Sequence, residues 1–337
     1  MLINRGLIFG VSLAFIALII WLAGASPVAV GFHLVNGAFG TSDQLARVLA
    51  TLAPLILCAS GLVFTFMAGL YNLGVEGQIT MGAIATTFIL RTLGDILPAP
   101  IVIVFGIIFG MAGGVFWGLC AGLLNVYGKV SEIFAGLGLN FVAQGIALYL
   151  VFGPWKRSGV ASMSGTELFN ESLRLPTIGN TEASPIALIL AAIALIATII
   201  IIRSTYFGLQ LRAVGQNIRA AYILGIPAIK QLLSAFAICG GLAGIAGALQ
   251  VMAVFHRLIP NISSNLGFLS LLIGMLVGNG IIWILPIALF FSALNIGSLQ
   301  LPLSLQLESS LAGVIQGTLV LFALLGQGWK TRKQNNI

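Results

Sequence analysis

The 337-residue sequence is 59% hydrophobic and only 7% charged, with a formal net charge of +7. A soluble domain carries about 25% charged residues, so this chain cannot dress a water-facing surface and reads as an all-α polytopic membrane protein, without the alternating short strands of a β-barrel. The positive balance then reads as cytoplasmic anchoring, not nucleic-acid binding.

Asn4 and Arg5 precede an apolar run from Leu7 to Gly24. Ala23-Gly24-Ala25 resembles a signal-peptidase site, but apolar character throughout the chain favours an uncleaved first helix. Ser26 to Gln44 reads as a polar, Gly-containing loop. Val48 to Ala68 is a second helix, kinked at Pro54. The next stretch, Gly69 to Gln78, holds Tyr71, Asn72, Glu76 and Gln78 between apolar runs. The run after it, Ile79 to Leu90, spans roughly 18 Å as a helix, against a hydrocarbon core of roughly 30 Å. It cannot cross alone, so part of Tyr71 to Gln78 lies at membrane depth as a broken helix facing protein or water.

Arg91 to Pro100 is a turn region. Ile101 to Val126 is a long helix with Gly106, Gly110, Gly114 and Gly118 on one face, a stripe that marks close helix approach. Gly128, Lys129 and Val130 form a tight turn, and Ser131 with Glu132 starts the next helix. That helix runs to Phe152 and carries Asn140 and Gln144 on one face. Gly153 to Pro185 is a polar segment, followed by a helix to Ile202. Arg203 to Lys230 is a second polar segment, with Arg203, Arg212, Arg219 and Lys230 and no acidic residue. Leu232 to Phe255 is rich in Gly and Ala. Leu266 to Val277 is a second short apolar run, ended by Gly278-Asn279-Gly280. Ile281 to Leu294 and Leu311 to Leu325 complete about ten membrane segments, two of them short or broken.

Arg5, the basic segment 203–230 and the tail residues Lys330, Arg332 and Lys333 all fall on the cytoplasmic side of one crossing count. Both termini are then cytoplasmic and 153–185 is extracytoplasmic. Asn72-Leu73-Gly74 and Asn265-Leu266-Gly267 each head a short run. Paired short segments of this kind point to a transporter's binding site.

Among residues able to carry chemistry, Asn72, Glu76 and Gln78 are candidates for lining a substrate path, with Asn140 and Gln144 behind them. Amides and a carboxylate suit hydroxyl-rich or nucleobase ligands. The alternative for Glu76 is a helix cap or a buried pair with Lys or Arg. For Asn140 and Gln144 the alternative is interhelical hydrogen bonding. No phosphate loop, His-Glu-x-x-His or Cys-x-x-Cys motif is present, so no intramembrane enzyme is supported. Cys58, Cys120 and Cys239 sit in apolar runs as packing residues. His33 and His256 read as interfacial. In the basic segment, Asn217 is a good N-cap and Arg219 to Leu224 a short helix stopped by Gly225, suited to docking on a cytoplasmic partner.

Ala220-Ala221 followed by Gly225 resembles the EAA–Gly coupling motif of ABC-transporter permeases. The string Leu211-Arg212-Ala213-Val214-Gly215-Gln216-Asn217, with Gly225-Ile226, is similar to the simple-sugar, nucleoside and branched-chain amino-acid permease family. Tyr71 to Gln78 resembles its nucleoside-uptake branch. The resemblance covers roughly Leu45 to Leu325, with Arg219 standing where the family usually has Glu. It implies a fold like the type II ABC importers and a single permease domain over 1–337 in a prokaryotic inner membrane, surrounded by lipid. It also implies a cytoplasmic ATPase that binds ATP and Mg, a second permease subunit, the same or related, and an extracytoplasmic substrate-binding lipoprotein. This chain itself would hold no cofactor and hydrolyse no ATP. Gly215, Asn217, Arg219, Ala220, Ala221 and Gly225 would form its ATPase-coupling element. The competing readings are an ion-coupled secondary transporter with Glu76 as its proton or cation site, and a permease for branched-chain amino acids. The second is disfavoured because Glu76 would repel an amino-acid carboxylate.

Overall fold

A computed structural model describes residues 2–157, 165–179, 181–278, 280–307 and 310–335. Asn279, and residues 158–164 and 180 of the long polar segment, lie outside the described residues. In chain order the helices are α1 (Leu2–Leu22), α2 (Pro27–Phe39), α3 (Ser42–Met67), α4 (Val75–Leu93), α5 (Ala99–Val126), α6 (Glu132–Phe152), α7 (Pro185–Ser204), α8 (Tyr206–Gln216), α9 (Ile218–Ile223), α10 (Ala228–Leu249), α11 (Leu266–Val277), α12 (Ile284–Gly297), α13 (Leu301–Leu305) and α14 (Leu311–Asn335). Among the described residues there is no strand. Six helical stretches are long and apolar enough to cross a membrane, and the bent pair α1–α2 makes at most a seventh. A count of ten therefore depends on the shorter helices.

Two expectations are corrected. Ser26 to Gln44 is not a loop: Pro27 opens helix α2, set at 100° to α1. The glycines at 31 and 37 had masked an apolar face on which Val30, Leu34, Gly37 and Ala38 are buried. The short run after the break is also longer than read. Helix α4 has 19 residues, because Glu76, Gly77 and Gln78 join its first turn and Arg91 its last. Glu and Gln are good helix formers, and an acid in the first turn with a base in the last complements the helix dipole. The break itself is confined to 68–74. Pro54 lies inside α3, which continues through it.

The chain divides into two compact units, Met1–Leu49 with Met275–Ile337, and Ala50–Gly274. In the first, α1 packs on α14 and α2 on α12. Its core gathers Ile16, Ile20, Val30, Leu34, Leu301 and Ile315. In the second, α4, α5 and α10 pack on one another and α6 lies against α4 and α5. The glycine stripe of α5 does what its spacing predicts. A Cβ at Gly114 would collide with the carbonyl oxygen of Gly240, and one at Gly118 would lie 2.5 Å from that of Phe236. Gly244 faces the carbonyl of Gly110 in the same way. Backbone thus meets backbone, which replaces the hydrophobic drive that lipid cannot supply. Gly114→Ala should destabilise the folded protein by about 1–3 kcal/mol, the range for overpacking, seen as a lower melting temperature in detergent. Gly138→Ala, which meets nothing within 4 Å, is the control expected to melt like the parent.

Candidate functional site

The break between α3 and α4 is a short turn, with Gly69 at φ +77°. The first N–H groups of a helix have no partner inside it, and here side chains from elsewhere supply them. Asn140 of α6 accepts from the Gly77 N–H at 2.8 Å and donates to the Leu73 carbonyl at 2.8 Å. One amide therefore splints both sides of the helix start. Asn72 accepts from the Gly74 N–H at 3.1 Å and from Gln78 Nε2 at 3.4 Å. Its own Nδ2 donates to Gln78 Oε1 and to Cys239 Sγ, both at 3.2 Å. Asn72 and Gln78 are completely buried, and their amides pair with each other. Cys239 packs as expected, against Gly61, but also serves as a weak acceptor.

Glu76 turns to a different helix end. Its Oε1 accepts the Phe268 N–H at 3.0 Å, and the Gly267 N–H and Ser263 hydroxyl lie near the same carboxylate. The Gly267 and Phe268 N–H groups belong to the first turn of α11, and Ser263 lies in the turn before it. The two helix starts converge: a Cβ on Gly267 would lie 2.9 Å from the Glu76 nitrogen and 2.8 Å from Val75 Cγ1. A carboxylate between two helix N-termini compensates both dipoles. The repeated Asn-Leu-Gly tripeptides mark these two starts. Asn72 is wired into hydrogen bonds, whereas Asn265 turns the chain at φ +62°. Gln144 donates to the Pro260 carbonyl at 3.0 Å, tying α6 to the turn that leads into α11. Ser263 and Gly136, whose Cβ would lie 2.5 Å from the Gly74 nitrogen, were not found from sequence, and nothing local signals them.

The segment 203–230 folds as two short helices, α8 and α9, held by side-chain caps. Thr205 caps α8 through the Gly208 N–H at 3.3 Å, and Arg212 Nη2 donates to the Ile202 carbonyl at 3.0 Å at the end of α7. Asn217 then breaks the helix and caps α9, accepting from the Ala220 N–H at 3.0 Å. Gly225, at φ +77°, ends it in a Schellman pair: the Gly225 N–H bonds the Tyr222 carbonyl and the Ile226 N–H bonds that of Ala221, both at 3.0 Å. The start and stop signals read from sequence are the ones the backbone uses. Ala221 is buried, while Ile218, Tyr222, Ile223 and Leu224 are exposed, as is Arg219. Near the end of α8 a Cβ on Gly215 would collide with the Met67 carbonyl oxygen and lie 3.0 Å from the Gly69 nitrogen. The segment therefore bears directly on the end of α3, where the break begins.

His256 lies beyond the π-helical end of α10, half-buried, with Nδ1 at 3.2 Å from the Met252 carbonyl. Burial and the nearby Arg174 charge hold its imidazole below the usual histidine range.

Residues 44–324 match a family described as branched-chain amino acid transport system / permease component. The chain is 28% identical to the guanosine ABC transporter permease protein NupP of Bacillus subtilis, over 91% of this chain and 88% of that one. It is 29% identical to the nucleoside ABC transporter permease protein NupB of Lactococcus lactis, over 87% and 82%. It is 27% identical to the glucose ABC transporter permease protein TsgB13 of Haloferax volcanii, over 88% and 79%.

Proposed function

The chain belongs to the branched-chain amino acid transport system / permease component family, and from that premise we propose that it is the membrane-spanning permease subunit of an ATP-driven ABC importer for nucleosides or a related sugar compound. Its partners are a cytoplasmic ATPase that binds ATP and Mg, a second permease subunit, the same or related, and an extracytoplasmic substrate-binding lipoprotein. It sits in a prokaryotic inner membrane as one permease domain of about ten membrane segments, with both termini and 203–230 cytoplasmic and 153–185 outside.

The observation that carries this reading is α9, capped by its own sequence at both ends, with Ile218, Tyr222 and Ile223 exposed, and following directly on α8, whose Gly215 lies against the backbone at the end of α3. A short helix presenting Tyr222, Ile223 and Leu224 is a docking knob for a partner groove. ATP binding at that partner must favour one access state of this chain over the other, and α9 is the route. The relatives named for guanosine, nucleoside and glucose transport favour a neutral, hydroxyl-rich solute. The polar cluster agrees. Half-helix N-termini in transporters commonly face anionic substrate groups, but here Glu76 already fills that role. We place the path beside α4 and α11, with Asn72, Glu76 and Gln78, backed by Asn140 and Gln144, as its polar wall.

The test is uptake of labelled guanosine and glucose by reconstituted chain with and without its copurifying ATPase. Uptake should require the ATPase and ATP; uphill transport driven by an ion gradient alone would overturn the reading. Ile223→Asp should abolish ATPase copurification, because it puts a charge into an apolar contact, while leaving the melting temperature of the isolated chain within a degree or two of the parent.

A further inference from the structure

The last turn of the α10 span is not α-helical. Gln250–Val254 forms a π-turn, a rare distortion found mostly at functional sites. Its backbone is well served, since the Met252 carbonyl takes the Leu175 N–H at 3.0 Å and faces His256 Nδ1. The side chain of Gln250 is not. It is 4% exposed, and its Oε1 has no hydrogen-bond partner among the described residues. Thr87 of α4 is fully buried, and its Oγ1 is orphaned in the same way. Neighbouring threonines show the contrast: Thr86 Oγ1 donates to Gly106 at 2.9 Å and Thr80 Oγ1 to Glu76 at 3.0 Å. Buried polar groups nearly always find partners, and an apolar interior makes an unmade bond costly.

The two orphans share a level. Helices α4 and α10 run side by side, with Gly247 against Ile79 and Ala83. One turn further along each helix stand Thr87 and Gln250, and the π-turn packs on α4. They also share a face with the polar cluster. Thr87 follows Glu76 and Thr80 on α4, about three turns from Glu76, and Gln250 follows Cys239 on α10 at the same interval. Cys239 is the residue that accepts from Asn72.

We propose that Gln250 and Thr87 form a second polar station on the solute path, displaced along it from the Glu76 cluster, which hydrogen-bonds the hydroxyl groups of a neutral sugar or nucleoside in passage. The amide oxygen accepts one solute O–H, and the threonine hydroxyl donates to or accepts from its neighbour, a pairing that suits adjacent hydroxyls on a sugar ring. This station rests on the importer reading above.

Gln250→Leu and Thr87→Val remove the orphaned atoms with little change of volume. In the full chain with its copurifying ATPase, both should melt at or above the parent temperature, since a costly unpaired group is gone. Initial uptake of labelled guanosine or glucose should nonetheless fall at least tenfold, with ATPase association unchanged. Parent-like uptake in either well-folded variant would sink the station and leave the importer reading intact. Both variants melting well below the parent would assign the groups a structural role and equally overturn the proposal. If Gln250→Leu alone fails to fold, Thr87→Val decides. A parent protein without ATP-dependent uptake of either solute would end the importer reading and the station together.

Discussion

Gly215→Val leaves the ATPase bound and hydrolysing ATP but lowers uptake at least tenfold. The expectation follows from where Gly215 sits. A Cβ there would run into the Met67 carbonyl oxygen and lie 3.0 Å from both the Ala68 carbonyl carbon and the Gly69 nitrogen. These are backbone atoms, so no rotamer change relieves the clash, and the end of α3 must shift away from α8. Gly69 answers from the other side, its own Cβ position 3.1 Å from the Gly215 oxygen and its φ at +77°. Three residues on is Asn72, the hub that pairs with Gln78 and Cys239. A push on α9 therefore reaches the start of α4 through one backbone contact. Interfaces of this density pass on discrete shifts because they do not deform continuously. The docking face of α9 is untouched by the substitution, so ATPase association and turnover persist; their loss along with transport would argue for general misfolding and against a coupling role. Gly225→Ala is the comparison. Open space surrounds that position, so only the left-handed backbone is penalised, at about 1–2 kcal/mol, and uptake should fall less.

How much of this was legible beforehand depended on the range over which each signal acts. The bounds of α11 coincide with the apolar run Leu266 to Val277, because an apolar run bracketed by Asn and Gly is a local feature. The cap at Asn217 and the stop at Gly225 are local too, and both hold. Helix α2 was missed because glycine and histidine diluted a face that only its unit explains, where a Cβ on Gly37 would lie 2.8 Å from the Gly297 carbonyl oxygen. Glu76, Asn140 and Gln144 stood out as polar residues in apolar runs, but their partners did not. Glu76 bonds a backbone 192 residues away, and Asn140 bonds one 63 residues away. No periodicity reports such pairings. For Asn140 the interhelical alternative describes the bond to Gly77 of α4, Gln144 bonds a turn and not a helix, and for Glu76 the helix-cap alternative describes the bond present.

That cap sets the second large effect. Glu76→Ala should cost about 3 kcal/mol and remove most folded protein, judged by melting temperature and by monodisperse yield. The Phe268 N–H loses a charged acceptor, and a buried donor left unpaired costs about 1–3 kcal/mol. Two helix N-termini also lose their counter-charge. Glu76→Gln keeps one acceptor in place, at the price of turning an amide N–H₂ toward the remaining donors, so it should melt between the parent and the alanine variant. Transport separates the mechanisms. If the carboxylate is a cap, Glu76→Gln retains ATP-driven uptake within about fivefold, in proportion to its folded fraction. If it carried a proton or cation across the membrane, the amide could not titrate, and the well-folded variant would transport nothing. A dead but stable Glu76→Gln protein would therefore refute the cap as the whole role of this residue, and uptake by the parent would then separate ion coupling, which an ion gradient alone drives, from a solute contact on the path wall, which still requires ATP.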